Sequence, residues 1–143
     1  MSPIDMTLRE NYAYWHVEKI RFSDTDMIGH VNNVAFAAFI ESGRVAFTHS
    51  GAIAGMPSGL LIVMARIELD YRAELHWPGN IDVGSRLLRI GRSSFAIANG
   101  VFNGQICAAT SVTTLVVIDR VTRKSAPIPD AVRASMATHL AAP

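Results

Sequence analysis

From Tyr12 to Phe22 the chain reads YAYWHVEKIRF, aromatic and β-branched residues broken by polar ones. That partial period of two predicts a strand. From Asn33 the period changes. Val34, Phe36, Ala37, Phe39, Ile40, Val45, Ala46 and Phe47 cover most of the surface of a helix drawn through Ser50. A helix apolar nearly all round is a buried one. Asn32 or Asn33 caps its start, because a short side-chain oxygen accepts from first-turn N–H groups. Gly51 fits just past its end. Ala35, Ala37 and Ala38 let a neighbouring backbone come close. Gly43 opposes the helix by ~1 kcal/mol relative to alanine.

The remainder is β-patterned. In LLIVMARIELDYRAEL, residues 60–75, Leu61, Val63, Ala65, Ile67, Leu69 and Tyr71 alternate with Arg66, Glu68, Asp70 and Arg72. This predicts a long, half-buried strand. A WPGN turn at 77–80 leads to IDVGSRLLRI, and SSFAIANGVF follows Gly91-Arg92. Asn103-Gly104 predicts a hairpin of type I′, where both central residues need positive φ. QICAATSVTTLVVID is the last strand, and PDAVRASMATHL from Pro129 is a short amphipathic helix. Residues 1–11 read as an arm. One helix followed by a run of antiparallel strands makes α+β, a sheet wrapped around a single long helix.

Composition sharpens this picture. The 143 residues, 50% hydrophobic and 17% charged, suggest one domain over 1–143 with a core that needs no staple. The net charge of +1 asks for neither nucleic acid nor an anionic membrane. Cys107 stands alone in an apolar run and reads as a small core residue. The N-terminus lacks the basic and apolar segments of a signal peptide, and no apolar run is long enough to span a bilayer. The expectation is a cytoplasmic protein.

The chemistry concentrates in RFSDTDMIGHVNN, Arg21 to Asn33. Three readings compete. Asp and Asn are common where side chains satisfy turns and caps, and Gly29 suits a turn. Asp24, Asp26 and His30 could hold a metal. A D-x-D cation pair, however, normally ends an apolar strand of a parallel sheet, and zinc wants more histidine or cysteine at short spacing. No metal is expected. The third reading is catalytic. A helix start presents unpaired N–H groups and about half a positive charge. It can hold an oxygen that turns anionic in acyl transfer, with a carboxylate beside it as nucleophile or base.

The run Asp24-Thr25-Asp26-x-x-Gly29-His30-Val31-Asn32-Asn33, continuing into FAAFIESGR, resembles the 4-hydroxybenzoyl-CoA thioesterase group of the hotdog superfamily. YRAELHWPGN at 71–80 and IGRSSF at 90–95 extend the likeness over most of the chain. The resemblance implies a hotdog fold and an acyl-CoA thioesterase with no cofactor beyond the CoA of its substrate. It implies Asp26 as the catalytic carboxylate and the backbone N–H of Asn33 as the carbonyl-polarising donor. Gly29 would admit the substrate to the backbone, and Asp24 would fix the loop. His30 would bond the substrate or Asp26, or serve the loop. Arg92, Ser93 and Ser94 would hold CoA phosphates or pantetheine. It also implies a homodimer or a dimer of dimers, with sites at the interface. Two departures stand out: Asn32-Asn33 replaces aromatic residues of several characterised members, and Asn80 replaces the usual Asp.

Glu41 is the fallback acid, since some hotdog thioesterases carry theirs on this helix. Arg44, three residues on, is its natural ion-pair partner. His16, His49, His76 and His139 lie scattered, with no second ligand at metal spacing. Trp15, Trp77 and Phe95 read as core or interface. The alternatives are a non-catalytic acyl-CoA-binding or interaction module and an acyl-thioester hydratase or dehydratase. The latter is disfavoured because the chain lacks a D-x-x-x-x-N-P-x-H run.

Overall fold

The two periods resolve into five strands and two helices: β1 (Tyr14–Ile20), α1 (Asn33–Phe47), β2 (Leu60–Tyr71), β3 (Gly79–Ile90), β4 (Ser94–Asn103), β5 (Ile106–Asp119) and α2 (Asp130–Leu140). The computed structural model describes residues 3–140; positions 1 and 2 of the expected arm, and 141–143, lie outside the described residues. The strands form one antiparallel sheet in the order β1-β3-β4-β5-β2. Helix α1 packs across one face of it, so the α+β reading holds.

The seam between α1 and the sheet is tight. Phe36, Phe39 and Ile40 are buried against Ile81, Val83, Val101 and Ala109. Each such side chain contributes roughly 1.5–3 kcal/mol. Gly43 sits where a Cβ would fall 2.3 Å from Val83 Cγ1. The mid-helix glycine is therefore the contact that brings helix and sheet together. A second cluster joins Phe47, Phe95, Ile97 and Val117 to Val132 and Met136 of α2. On the opposite face, Ala98 and Phe102 are covered by Tyr12 and Trp15, with the Arg9 guanidinium 4.2 Å from the Trp15 ring centre. Cys107 packs beside this cluster, half-buried rather than in the core. Burial raises its thiol pKa, which keeps it a poor nucleophile.

Several expectations need correction. The first strand starts at Tyr14, and Tyr12 instead packs on the outer face. The helix ends at Phe47 and passes into one wide turn, Thr48–Ala52, in which Gly51 takes φ 107°. The second strand ends at Tyr71 rather than Leu75. Its alternation is also broken. Pairing with β5 skips Ala65 between Met64 and Arg66, and one bulged residue flips every side chain beyond it. Ile62 and Met64 therefore share the helix side with Ile67, Leu69 and Tyr71, while Leu61 and Val63 point away. The hairpin turn is Gly104-Gln105, between Asn103 and Ile106. Only Gly104 needs positive φ, at 59°, the type II′ pattern rather than I′.

The helix is not buried all round. One sheet covers one side of it, leaving a stripe with Val34 72% and Val45 46% exposed. No described helix is long and apolar enough to cross a membrane.

Candidate active site

Asp24 and Asp26 stand two residues apart and do different things. Asp24 is buried and ties the loop to itself. Its carboxylate accepts from the Arg21 backbone N–H at 2.7 Å and from the Arg21 guanidinium at 3.0 Å. Its carbonyl accepts from the Asn32 N–H at 2.8 Å. Asp26 is exposed and opens a small hairpin. Its N–H donates to His30 O at 2.9 Å and its carbonyl accepts from Gly29 N–H at 3.0 Å. Its Oδ1 accepts from Ile28 N–H at 2.9 Å, a local turn that leaves the second oxygen facing solvent. Gly29 closes the turn at φ 86°, a left-handed conformation that favours glycine. A Cβ there would meet nothing within 4 Å, so the turn rather than crowding within the chain accounts for this glycine.

The hairpin delivers the chain to α1. Val31 N–H reaches Leu75 O at 2.8 Å. Asn32 is the cap: its Oδ1 accepts from Ala35 N–H at 2.8 Å. Among the described residues, the N–H groups of Asn33 and Val34 have no protein acceptor. Asn33 lines a cavity of about 310 Å³ together with His30, Phe36, Tyr71 and Glu74. The Tyr71 hydroxyl donates to Asn33 O at 2.9 Å, pinning the end of β2 to the helix start. Asp26 does not line this cavity within one chain; its hairpin borders it through His30. Phe22, Met27, Ile28 and Trp77 form an exposed apolar rim on this loop and its neighbour.

His30 meets two residues far away in sequence. Its Nε2 lies 3.3 Å from Glu74 Oε2, and His76 Nε2 lies 3.4 Å from the same oxygen. The two rings meet edge to face at 5.1 Å. His76 is therefore not isolated, as its place in the sequence suggested.

The chain resembles known proteins along most of its length. The model of the thioesterase-like superfamily matches residues 20–136. The chain belongs to that superfamily. Its fold is the hotdog fold of solved thioesterases, α+β as expected. The PA5185 protein of Pseudomonas aeruginosa PAO1 superposes with a TM-score of 0.81 at 27% identity, covering 92% of this chain and 94% of that one. A thioesterase from Thermus thermophilus, complexed with coenzyme A and Zn, gives 0.79 at 27% identity over 94% and 99%. The uncharacterized protein YsmA of Bacillus subtilis is 25% identical over 97 residues, 66% of each chain, so the match spans just under two thirds of that relative.

In this superfamily member the remaining candidates lie elsewhere. Glu41 sits eight residues along α1 from Asn33, about 12 Å. Its carboxylate is 3.9 Å from Arg44. Burial lowers the Arg44 pKa, and the charge of Glu41 partly offsets that. The contact is the expected ion pair. Arg92 and Ser93 occupy the turn after β3 and Ser94 opens β4; the other end of β3, Gly79, adjoins the Asp26 hairpin. Twelve strand residues put roughly 35 Å between the two ends. Within one chain the structure does not bring the Arg92 turn to Asp26. The turn itself is well held: Arg92 O accepts from Ile128 N–H at 2.9 Å and Ser93 O from Val117 N–H at 2.8 Å.

Sequence reasoning missed Tyr71, Glu74 and His76 as neighbours of the helix start. The alternating pattern carries Tyr71 and Glu74 along one continuous strand. The run from Tyr71 to His76 carries no signal that marks the break, since its polar content matches that of the second half of the strand before it.

Proposed function

We propose that the protein is an acyl-CoA thioesterase that works as a homodimer. The observation carrying this reading is the start of α1: two N–H groups with no acceptor among the described residues, one on a cavity-lining residue, beside a hairpin that holds an exposed carboxylate. The superfamily membership supports thioester chemistry, and the coenzyme A bound to the Thermus relative supports CoA as the thiol carrier. The thioester oxygen would sit at the Asn33 N–H, where the helix dipole stabilises negative charge. Asp26 either attacks the carbonyl carbon, giving an anhydride that water opens, or takes the proton of the attacking water. In both routes the C–S bond breaks, CoA leaves as the thiolate, and the acyl group leaves as a carboxylic acid.

The homodimer reading is supported by β2, an edge strand with an open row of backbone groups and exposed Val63, Met64, Ile67 and Tyr71. A second copy pairing antiparallel along β2 would bring its 60–64 end toward the first chain's Tyr71. The partner's Arg92 turn lies at that same end of its sheet. CoA contacts and carboxylate would then come from different chains.

The test is a panel of acyl-CoAs assayed for thiol release. Wild type hydrolyses at least one, and Asp26→Asn lowers kcat about 10²–10⁴-fold. Glu41→Gln keeps its rate. CoA binding with no turnover on any acyl group would move the protein to the non-catalytic reading. An Asp26→Asn variant at full rate would remove Asp26 from the chemistry.

A further inference from the structure

We infer that His30, Glu74 and His76 form a binding site for a divalent transition-metal ion of the zinc class. Their three donor atoms lie within 4.8 Å of one another. Two of the three separations, 3.3 Å and 3.4 Å, already match a coordination shell. Ligands about 2.0–2.1 Å from a tetrahedral ion stand roughly 3.3–3.4 Å apart. The third, between the two rings, is no more than 4.8 Å.

A second observation points the same way. His76 Nδ1 lies 3.2 Å from the carbonyl oxygen of Gly29. A carbonyl only accepts, so Nδ1 carries the hydrogen. In the neutral ring this leaves Nε2 with a lone pair and no hydrogen, close to a Glu74 oxygen that is also an acceptor. Two acceptors lie 3.4 Å apart, and a cation bound to both resolves the repulsion. Metal-bound histidines characteristically give their outer N–H to a backbone carbonyl or carboxylate in this way.

The donor set selects the ion. Two imidazoles and one carboxylate suit Zn²⁺ or Co²⁺, whereas Ca²⁺ and Mg²⁺ take oxygen ligands. Three protein ligands leave a fourth position for water. His30 is about one-third exposed and the other two more so, which gives the ion a path from solvent. Bound there, it cross-links the Asp26 hairpin to the 72–78 loop, the two segments whose joint is otherwise the Val31–Leu75 bond and the His76–Gly29 contact.

The competing account is a surface ion pair held by protonated histidines. The site and its test are independent of thioester hydrolysis. Untagged, chelator-treated full-length protein is titrated with Zn²⁺ by calorimetry and with Co²⁺ by visible absorption. The expected result is one saturable ion per chain, the d–d bands of four-coordinate Co²⁺, and a Tm that rises with Zn²⁺. His76→Ala and Glu74→Gln each weaken Zn²⁺ binding by roughly tenfold or more. His16→Ala leaves it unchanged, although His16 also contacts a carboxylate, that of Glu18, at 2.7 Å. Absence of saturable binding, or undiminished affinity in the His30→Ala/His76→Ala double variant, overturns the proposal. The three side chains are partly or largely solvent-exposed, and circular dichroism verifies that the variants fold.

Discussion

Strands β4 and β2 are both rich in apolar residues and meet opposite fates. In β4, every residue from Phe95 to Phe102 is buried. Phe95, Ile97 and Val101 face α1, while Ala96, Ala98 and Phe102 face the other way, with the N-terminal arm over Ala98 and Phe102. In β2 no residue is buried, and those from Val63 to Glu68 are all exposed. The difference is one of neighbours rather than composition. A central strand has a partner on each side and a layer on each face. An edge strand has one partner, and α1 covers only part of its inner face. The chain completes its own core at the centre and leaves surface unsettled along β2, whose end, Tyr71, touches the candidate site.

The largest expected effect tests the centre against the edge. Phe95→Ala leaves a void between two buried layers and costs about 3–5 kcal/mol. Ile67→Ala removes a side chain that is 37% exposed, and in the isolated chain it costs under about 1 kcal/mol. Urea unfolding at several protein concentrations measures both. Equal losses would break the comparison. A loss for Ile67→Ala that grows with concentration would show β2 covered by a second copy.

The same contrast explains what could be read beforehand. Alternation located β1 and β2, the helical period located α1, and the turn signals at 77–80, 91–92 and 103–104 bounded the apolar runs of β3, β4 and β5. Alternation failed inside β2. A bulge costs one residue and reverses the inward set, and nothing in Met-Ala-Arg marks it. The RFSDTDMIGHVNN hairpin was legible as a turn leading to a capped helix, since Asp24, Gly29 and Asn32 act on their own local backbone. The His30–Glu74–His76 group was not. His76 and Gly29 lie 47 positions apart, and only the folded sheet brings the two loops together. The Arg92 turn was placed correctly as a turn, but its distance from Asp26 depends on strand length and direction.

A second, smaller effect sharpens the account of the centre. Gly43 looked like a weakness in α1, and alanine there would favour an isolated helix by ~1 kcal/mol. The structure reverses the sign. A Cβ would stand 2.3 Å from one carbon of Val83 and 2.7 Å from another. Helix and sheet must separate or Val83 must move. Gly43→Ala is expected to destabilise by about 1–3 kcal/mol, and pairing it with Val83→Ala should recover part of the loss, since the two clash directly. A stabilised Gly43→Ala would mean that α1 does not seat against β3 as described.

The smallest effect on the fold of one chain is expected at Val63, and it bears most on assembly. Val63 is 37% exposed and points away from α1, so Val63→Lys should change the stability of a single chain by no more than about 0.5 kcal/mol. A lysine on an edge strand, however, opposes edge-to-edge pairing, because pairing would draw its charge out of water. Sedimentation velocity should show wild type above the mass of one chain and Val63→Lys shifted toward it. Thioester hydrolysis should fall with that shift if, as proposed, the Arg92 turn meets the Asp26 hairpin of a second copy. A wild type that sediments as one chain at every concentration would end the homodimer reading. β2 would then be an exposed edge that the fold tolerates, and CoA would have to be held by residues nearer Asn33.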